Sequence, residues 1–249
     1  MMDQTNEILE YDGSFSGFLC CVHDVFSRKK MPQFVLPQEM VEDSLFSGVV
    51  IETDEGRAEA IWQRLRKRLS IAQLRFIKEG FFSLLENKEV YLLQAIELGL
   101  NVQSPFQAHT YHKGSGALYR AIRIMKREVA HYCGFVRFNE VNGDLIAVIA
   151  PRHKVLPWLL PYFVKRYKRT PFAIYDQTHH LLGVSRNGKF SIEHVVLDTD
   201  FLLSDDELQI QNQWKLFFKA VSIEERKNER AQMSSMPKRY WAHLTEMQE

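Results

Sequence analysis

The chain has 249 residues, enough for one large domain or two modest ones, each with its own core. Apolar residues make up 45% and charged residues 25%, and the formal net charge is +1, so no global charge draws the chain to nucleic acid or to a membrane surface. Three cysteines, two of them adjacent, make no disulfide framework and point to a reducing, cytoplasmic setting. The acidic opening Met1–Glu10 does not read as a signal peptide, and no run of about 18 apolar residues could span a membrane.

In chain order, Ile8–Tyr11 reads as a short strand and Asp12-Gly13-Ser14 as a turn ending in a helix cap. Phe15, Phe18, Leu19, Val22, Val25 and Phe26 then form one apolar helix face, with Cys20 and Cys21 as small core residues. Met31–Glu39, with Pro32 and Pro37, reads as an extended loop, and Val49–Thr53 as a short strand. Thr53 or Asp54 caps the next helix. Further helices are predicted over Ile71–Leu85 and Lys88–Leu98, the second ended by Gly99. Asn101–Gly116 reads as a loop and Leu118–Tyr132 as a helix.

The most legible stretch is Gly134 to His194. Gly134–Phe138 and Leu145–Ile149 are β-rich runs around Asn142-Gly143, a strong signal for a type I′ hairpin. Val155–Tyr167 reads as a helix. Phe172–Tyr175, Leu181–Ser185 and Lys189–Val196 read as strands, with a second hairpin turn at Asn187-Gly188. Asp205–Val221 is predicted helical, and the charged Ser222–Met233 continues it. The fold class is therefore α+β. A mainly helical part with a short strand element (residues 1–115) packs closely on an antiparallel-sheet unit with a crossing helix and C-terminal helices (residues 116–249).

Charge is unevenly spread. Between Tyr111 and Thr170 there are twelve basic residues and three acids, a local excess of nine in a chain whose total is +1. Arg120, Arg123 and Arg127 share a helix face, and Arg137 lies on the expected strand opposite Val136 and Phe138. Convergent cations would hold phosphates, and interleaved Tyr119, Tyr132, Phe135, Phe138, Tyr162 and Tyr167 offer stacking surfaces. The competing account places those aromatics in the core and the cations in several directions. Lys238-Arg239-Tyr240-Trp241 sets two aromatics beside two cations; it serves either a nucleic-acid or protein surface or an anchor that docks Trp241. His109, His112, His179, His180 and the His131/Cys133 pair lack metal-site spacing, so no metal or cofactor is expected. The acids Asp198, Asp200, Asp205 and Asp206 read as capping or solvated groups. Asp12 and His131 are the acid–base candidates if the protein is an enzyme.

Several stretches together carry a family resemblance: Tyr11-Asp12-Gly13-Ser14-Phe15, Gly134–Phe138 after a basic helix, Ala147–Pro151, Ile223–Asn228, and Met236-Pro237-Lys238-Arg239-Tyr240-Trp241. Their order resembles a bacterial family of DNA metabolism or DNA repair proteins, a domain of unknown function, over nearly the whole chain. Members are typically encoded beside a radical S-adenosylmethionine protein, and in other members the domain is fused to a uracil-DNA glycosylase-like domain. The resemblance implies a pathway and a partner rather than a reaction. Of the matching positions, Arg137 and Arg226, with Lys238 and Arg239 beside them, are the expected phosphate contacts. The leading expectation is a nucleic-acid-binding accessory factor in DNA metabolism or repair, working with the radical S-adenosylmethionine partner. The alternatives are an enzyme acting on DNA or a damaged nucleotide, and a protein-interaction module built on the aromatic tail.

Overall fold

The computed structural model describes residues 2–40, 48–101, 113–141, 143–197, 204–223 and 228–248. The chain divides into two compact units, Met1–Met125 and Lys126–Glu249. Its elements are helices and small sheets, an α+β architecture. Among the described residues no helix is long and apolar enough to cross a membrane.

The first unit holds β1 (Asp3–Gln4), β2 (Ile8–Tyr11), α1 (Phe15–Arg28), β3 (Lys30–Met31), β4 (Phe34–Pro37), β5 (Val49–Val50), α2 (Glu55–Arg68), α3 (Ile71–Phe81), α4 (Lys88–Asn101) and the first part of α5 (Lys113–Phe135). β2 lies between β4 and β5, parallel to both, with Leu9 opposite Val35 and Val49. The expected loop Met31–Glu39 thus contains a strand. Pro37 is tolerated there because β4 is an edge strand and the proline is its last residue. Ser14 caps α1, Asp54 caps α2, and Ser70 with Gln73 forms a capping box on α3.

The predicted face of α1 is buried, with Phe18, Cys20, Cys21 and Val25 fully covered. Phe15 and Phe18 pack on Phe81 at ring separations of 5.2 and 5.6 Å. The hydroxyl of buried Tyr11 donates to Glu89 Oε1 at 2.9 Å. Gly80 sits inside α3 because a Cβ there would come within 2.9 Å of Leu92 Cδ2. α4 continues through Gly99 to Asn101, since one helical glycine costs only about 1 kcal/mol and does not by itself end a helix. Of the expected loop Asn101–Gly116, residues 102–112 lie outside the described residues, and Lys113–Gly116 are helical.

The second unit continues α5 and adds β6 (Asn139–Val141), β7 (Asp144–Ile149), α6 (Leu156–Arg166), β8 (Phe172–Asp176), β9 (Leu181–Arg186), β10 (Lys189–His194), α7 (Asp205–Val221) and α8 (Glu229–Ser235), then two 3₁₀ turns, Lys238–His243 and Thr245–Met247. The strand order is β10-β9-β8-β7-β6. All neighbours are antiparallel except β7 and β8. That pair is parallel because α6, the predicted crossing helix, returns the chain over the sheet. α6 lies close on β9: a Cβ on Gly183 would fall 2.7 Å from Leu160 Cδ1. Asn187 (φ 53°) and Gly188 (φ 73°) form the predicted turn between β9 and β10. In the other hairpin Gly143 has φ 86° and Val141 pairs with Asp144, while Asn142 lies outside the described residues.

Two expectations in this unit are corrected. Gly134–Phe138 is not a strand: α5 runs to Phe135, and the strand starts at Asn139. Helical spacing stacks Phe135 on His131 (5.6 Å) and brings it to Tyr240 (5.2 Å). Phe138 packs on Phe163 and Tyr167 at 5.2 and 5.3 Å. Tertiary packing of these two rings overrides their β propensity. Nor does α7 continue through Ser222–Met233. It ends at Val221, and α8 starts afresh with the Asn228 side chain accepting from Ala231 N at 3.0 Å. Asparagine serves better as that cap than inside a helix. Residues 224–227, Arg226 among them, lie outside the described residues.

Candidate nucleic-acid interface

In open sheets with parallel strands, functional groups gather beyond the carboxyl ends of those strands. β7 and β8 are such a pair, and Gln177 N donating to Ile149 O at 3.0 Å carries their pairing one residue further. Just beyond β7, the loop Pro151-Arg152-His153 closes on Glu128 of α5, which is 1% exposed. Glu128 Oε1 accepts from Arg152 N (3.1 Å), and Oε2 accepts from His153 N (2.9 Å) and meets His153 Nδ1 at 2.6 Å. Burial pushes the Glu128 carboxyl up, but the bonds from His153 and Arg152 outweigh it and hold the group below the ordinary carboxylate range. An ionised carboxylate only accepts, so His153 Nδ1 carries the proton and Nε2 is left for another partner. The end of β8 repeats the motif. Fully buried Asp176 accepts from Thr178 N and His179 N, and its Oδ2 meets His179 Nδ1 at 2.7 Å.

Residues 236–247 close over this arrangement. Arg239 Nη2 stands 3.5 Å from Glu128 Oε1, and its guanidinium lies 4.7 Å from the Tyr240 ring centre. Tyr240 is buried among His131, Tyr132 and Phe135, at ring separations of 5.4, 5.0 and 5.2 Å. Its hydroxyl is 3.2 Å from His131 Nδ1. Burial lowers the His131 pKa, and the cations Arg239 and Arg127 lower it further, so the ring is neutral at pH 7. Burial raises the Tyr132 hydroxyl, and the Glu128 carboxylate adds to this. Burial also raises Tyr240, opposed by Arg239 and, more weakly, Arg152. Arg127 from α5, Arg152 from the β7–α6 loop and Arg239 from the tail therefore bear on one cluster, and all three are exposed.

The other singled-out residues fall elsewhere. Arg120 and Arg123 are exposed on the part of α5 that belongs to the first unit. Arg137 is held by Glu246, with Nη2 to Oε1 at 2.7 Å, and donates to Gly134 O at 3.0 Å. Lys238 is exposed with its amine over the Trp241 ring. The tail is anchored by buried Tyr240 and Leu244, while Trp241 is half-buried with its N–H on Met236 O at 2.9 Å. Asp12 accepts from Ser14 N and Ser14 Oγ; burial raises its carboxyl, but those bonds and one from Thr53 leave it lowered, the setting of a turn ahead of α1. His109, His112, Asp198 and Asp200 lie outside the described residues. Among the described residues no three His, Cys, Asp or Glu side chains gather as a metal site.

Sequence reasoning missed Glu128, Arg152, His153, Asp176 and His179 as a group. One signal was available: Glu128 is the one acid beside Arg120, Arg123, Lys126 and Arg127, and a helix so basic keeps a buried acid only where something holds it.

These features define an α+β protein whose second unit carries a cationic cluster braced by the Glu128–His153 pair, with a second carboxylate–imidazole pair, Asp176–His179, at the end of β8. The chain belongs to the family described as a domain of unknown function (DUF4130), which matches residues 86–246 and so includes every residue of the cluster. None of the curated proteins matches it.

Proposed function

We propose that this protein binds nucleic acid through its second unit, as an accessory factor in DNA metabolism or repair acting with a radical S-adenosylmethionine protein. The pathway and the partner come from the family resemblance. The observation that supports the binding is that exposed Arg239 stands 3.5 Å from Glu128, the buried carboxylate that also holds the backbone of exposed Arg152, with exposed Arg127 its neighbour on α5. Lys154, Lys165, Arg166, Lys168 and Arg169 are exposed on the same unit and extend its positive charge. Each phosphate neutralised releases counterions, so three contacts give a slope of log K against log salt of roughly −2 to −3. Arg127→Gln with Arg152→Gln removes two guanidiniums without touching the Arg152 backbone N–H that Glu128 holds. The double variant is expected to flatten the slope by roughly 1.5 to 2 units. Absence of binding at low salt, or an unchanged slope in the variant, rejects the proposal.

A second reading, an enzyme acting on DNA or a damaged nucleotide, is favoured by the two carboxylate-braced imidazoles. On this reading His153 Nε2 is the acid–base atom, oriented by Glu128 as a base is oriented in a catalytic triad. Conversion of an oligonucleotide that is lost in His153→Gln, with binding retained, would select it; no conversion by the wild-type chain would remove it.

A further inference from the structure

The second unit has a cleft of about 370 Å³ where α7 meets β6 and the Thr245–Met247 turn. Its apolar wall is Trp214, Ile210 and Phe138; its polar wall includes Asn139, Gln211 and Arg137. Trp214 is 40% exposed, yet its ring is fixed, because Nε1 donates to Glu246 Oε2 at 3.0 Å and Glu246 is itself held by Arg137. The exposed Phe217 ring lies 5.8 Å from it at an interplanar angle of 31°. A large aromatic surface in water with its polar atom already satisfied is a preformed stacking plate.

The two amides are oriented as well. Gln211 Nε2 donates to Glu207 Oε1 at 3.0 Å and to Asn139 Oδ1 at 3.1 Å. A carboxylate cannot donate, so the contact with Glu207 fixes which end of Gln211 is nitrogen, and the Asn139 amide follows from it. That leaves Gln211 Oε1 as an acceptor and Asn139 Nδ2 as a donor, and among the described residues neither has a protein partner. Glu207 lines this wall and repels a phosphate, and the Arg137 guanidinium is already engaged by Glu246, whereas a neutral flat ring meets no such penalty.

We propose that this cleft takes one unpaired nucleobase stacked on Trp214, its edge presenting a donor beside an acceptor. The edge N–H donates to Gln211 Oε1, and the neighbouring carbonyl or ring nitrogen accepts from Asn139 Nδ2. This rests on the nucleic-acid reading and deepens it. Arg239 and Glu246 are seven residues apart on one segment, at most about 25 Å if fully extended, so a strand held at the arginine cluster reaches the cleft within a few nucleotides.

The test uses the full chain and three single strands of about a dozen nucleotides: oligo(dT), oligo(dC), and an abasic strand with the same phosphates and no bases. Oligo(dT) is expected to bind about tenfold tighter than the abasic strand. Trp214→Ala should abolish that difference while leaving abasic binding and its salt slope as they were. Gln211→Leu, which leaves the Trp214 tether intact, should lower oligo(dT) and oligo(dC) affinity alike, toward the abasic level. Equal affinity for dT and abasic strands with a normal salt slope would overturn the base cleft and leave the phosphate reading standing. A base preference that survives Trp214→Ala would also overturn it. Binding of none of the three strands would overturn both readings.

Discussion

Glu128→Ala is expected to destabilise the second unit by about 3–5 kcal/mol, a large share of the roughly 5–15 kcal/mol that holds a domain folded. The side chain is 1% exposed and satisfies two backbone N–H groups, the His153 ring and, at longer range, Arg239. Truncation leaves the two backbone N–H groups and the His153 ring without their acceptor, and the cost is their desolvation without a partner. In a thermal melt this is a fall on the order of 10 °C or more. Glu128→Gln keeps an acceptor oxygen and should lose clearly less. The pH dependence gives a second readout. The folded-state pKa of Glu128 is depressed, so its contribution is present above the ordinary value of 4.5 and is lost as pH falls through the lower folded value. His131 and His243 are lowered as well, both by burial first, so the unfolded chain binds more protons below 6.5 and stability already declines there. Glu128→Gln should remove part of the acid limb below 4.5 and leave the histidine limb in place. A Glu128→Ala chain that melts with the wild type would show that the loop Pro151–His153 does not depend on this carboxylate.

The fold was legible where local chemistry and tertiary packing agree. Asn187-Gly188 needs positive φ at both residues and forms the turn it signals, and the apolar period of α1 buries the face it predicts. It was not legible where packing partners lie far off in sequence. Nothing local to Phe135 shows that Tyr240 will sit against it, so a β-rich run became the end of a helix. The same distance hid the cluster. Glu128 and His153 are separated by a helix end and a hairpin, and Arg239 arrives from the far end of the chain. Basic charge between Tyr111 and Thr170 was visible as composition, but its convergence depends on the β7–α6 loop turning back onto α5. The cleft was less legible still, because Gln211 and Trp214 read only as positions on an amphipathic helix until β6 stands beside them.

Arg137→Ala is expected to cost about 2–3 kcal/mol, near the low end for a broken buried pair because the arginine side chain keeps 30% exposure. Glu246 is the more buried partner, at 4% exposure, and its oxygens meet Arg137 at 2.7 and 3.4 Å and the Trp214 N–H at 3.0 Å. Burial raises the Glu246 carboxyl, but the bond from Arg137 leads the opposing effects and holds it below the ordinary range. Without the guanidinium a nearly buried charge stays behind, so the double variant Arg137→Ala/Glu246→Gln should recover most of the loss. Because the bond from Arg137 leads what depresses this pKa, the stability gap between wild type and Arg137→Ala should shrink as pH falls below 4.5, where the wild type loses the larger Glu246 contribution. Urea melts at pH 7 and pH 4 check both statements, and a double variant no more stable than the single one would contradict the pairing. The same variants separate two roles for Arg137 in DNA binding. Affinity that falls in Arg137→Ala and returns with Glu246→Gln marks an arginine that acts by positioning Glu246 and Trp214. Affinity that stays low in the double variant, once it is folded, marks a guanidinium that itself holds phosphate.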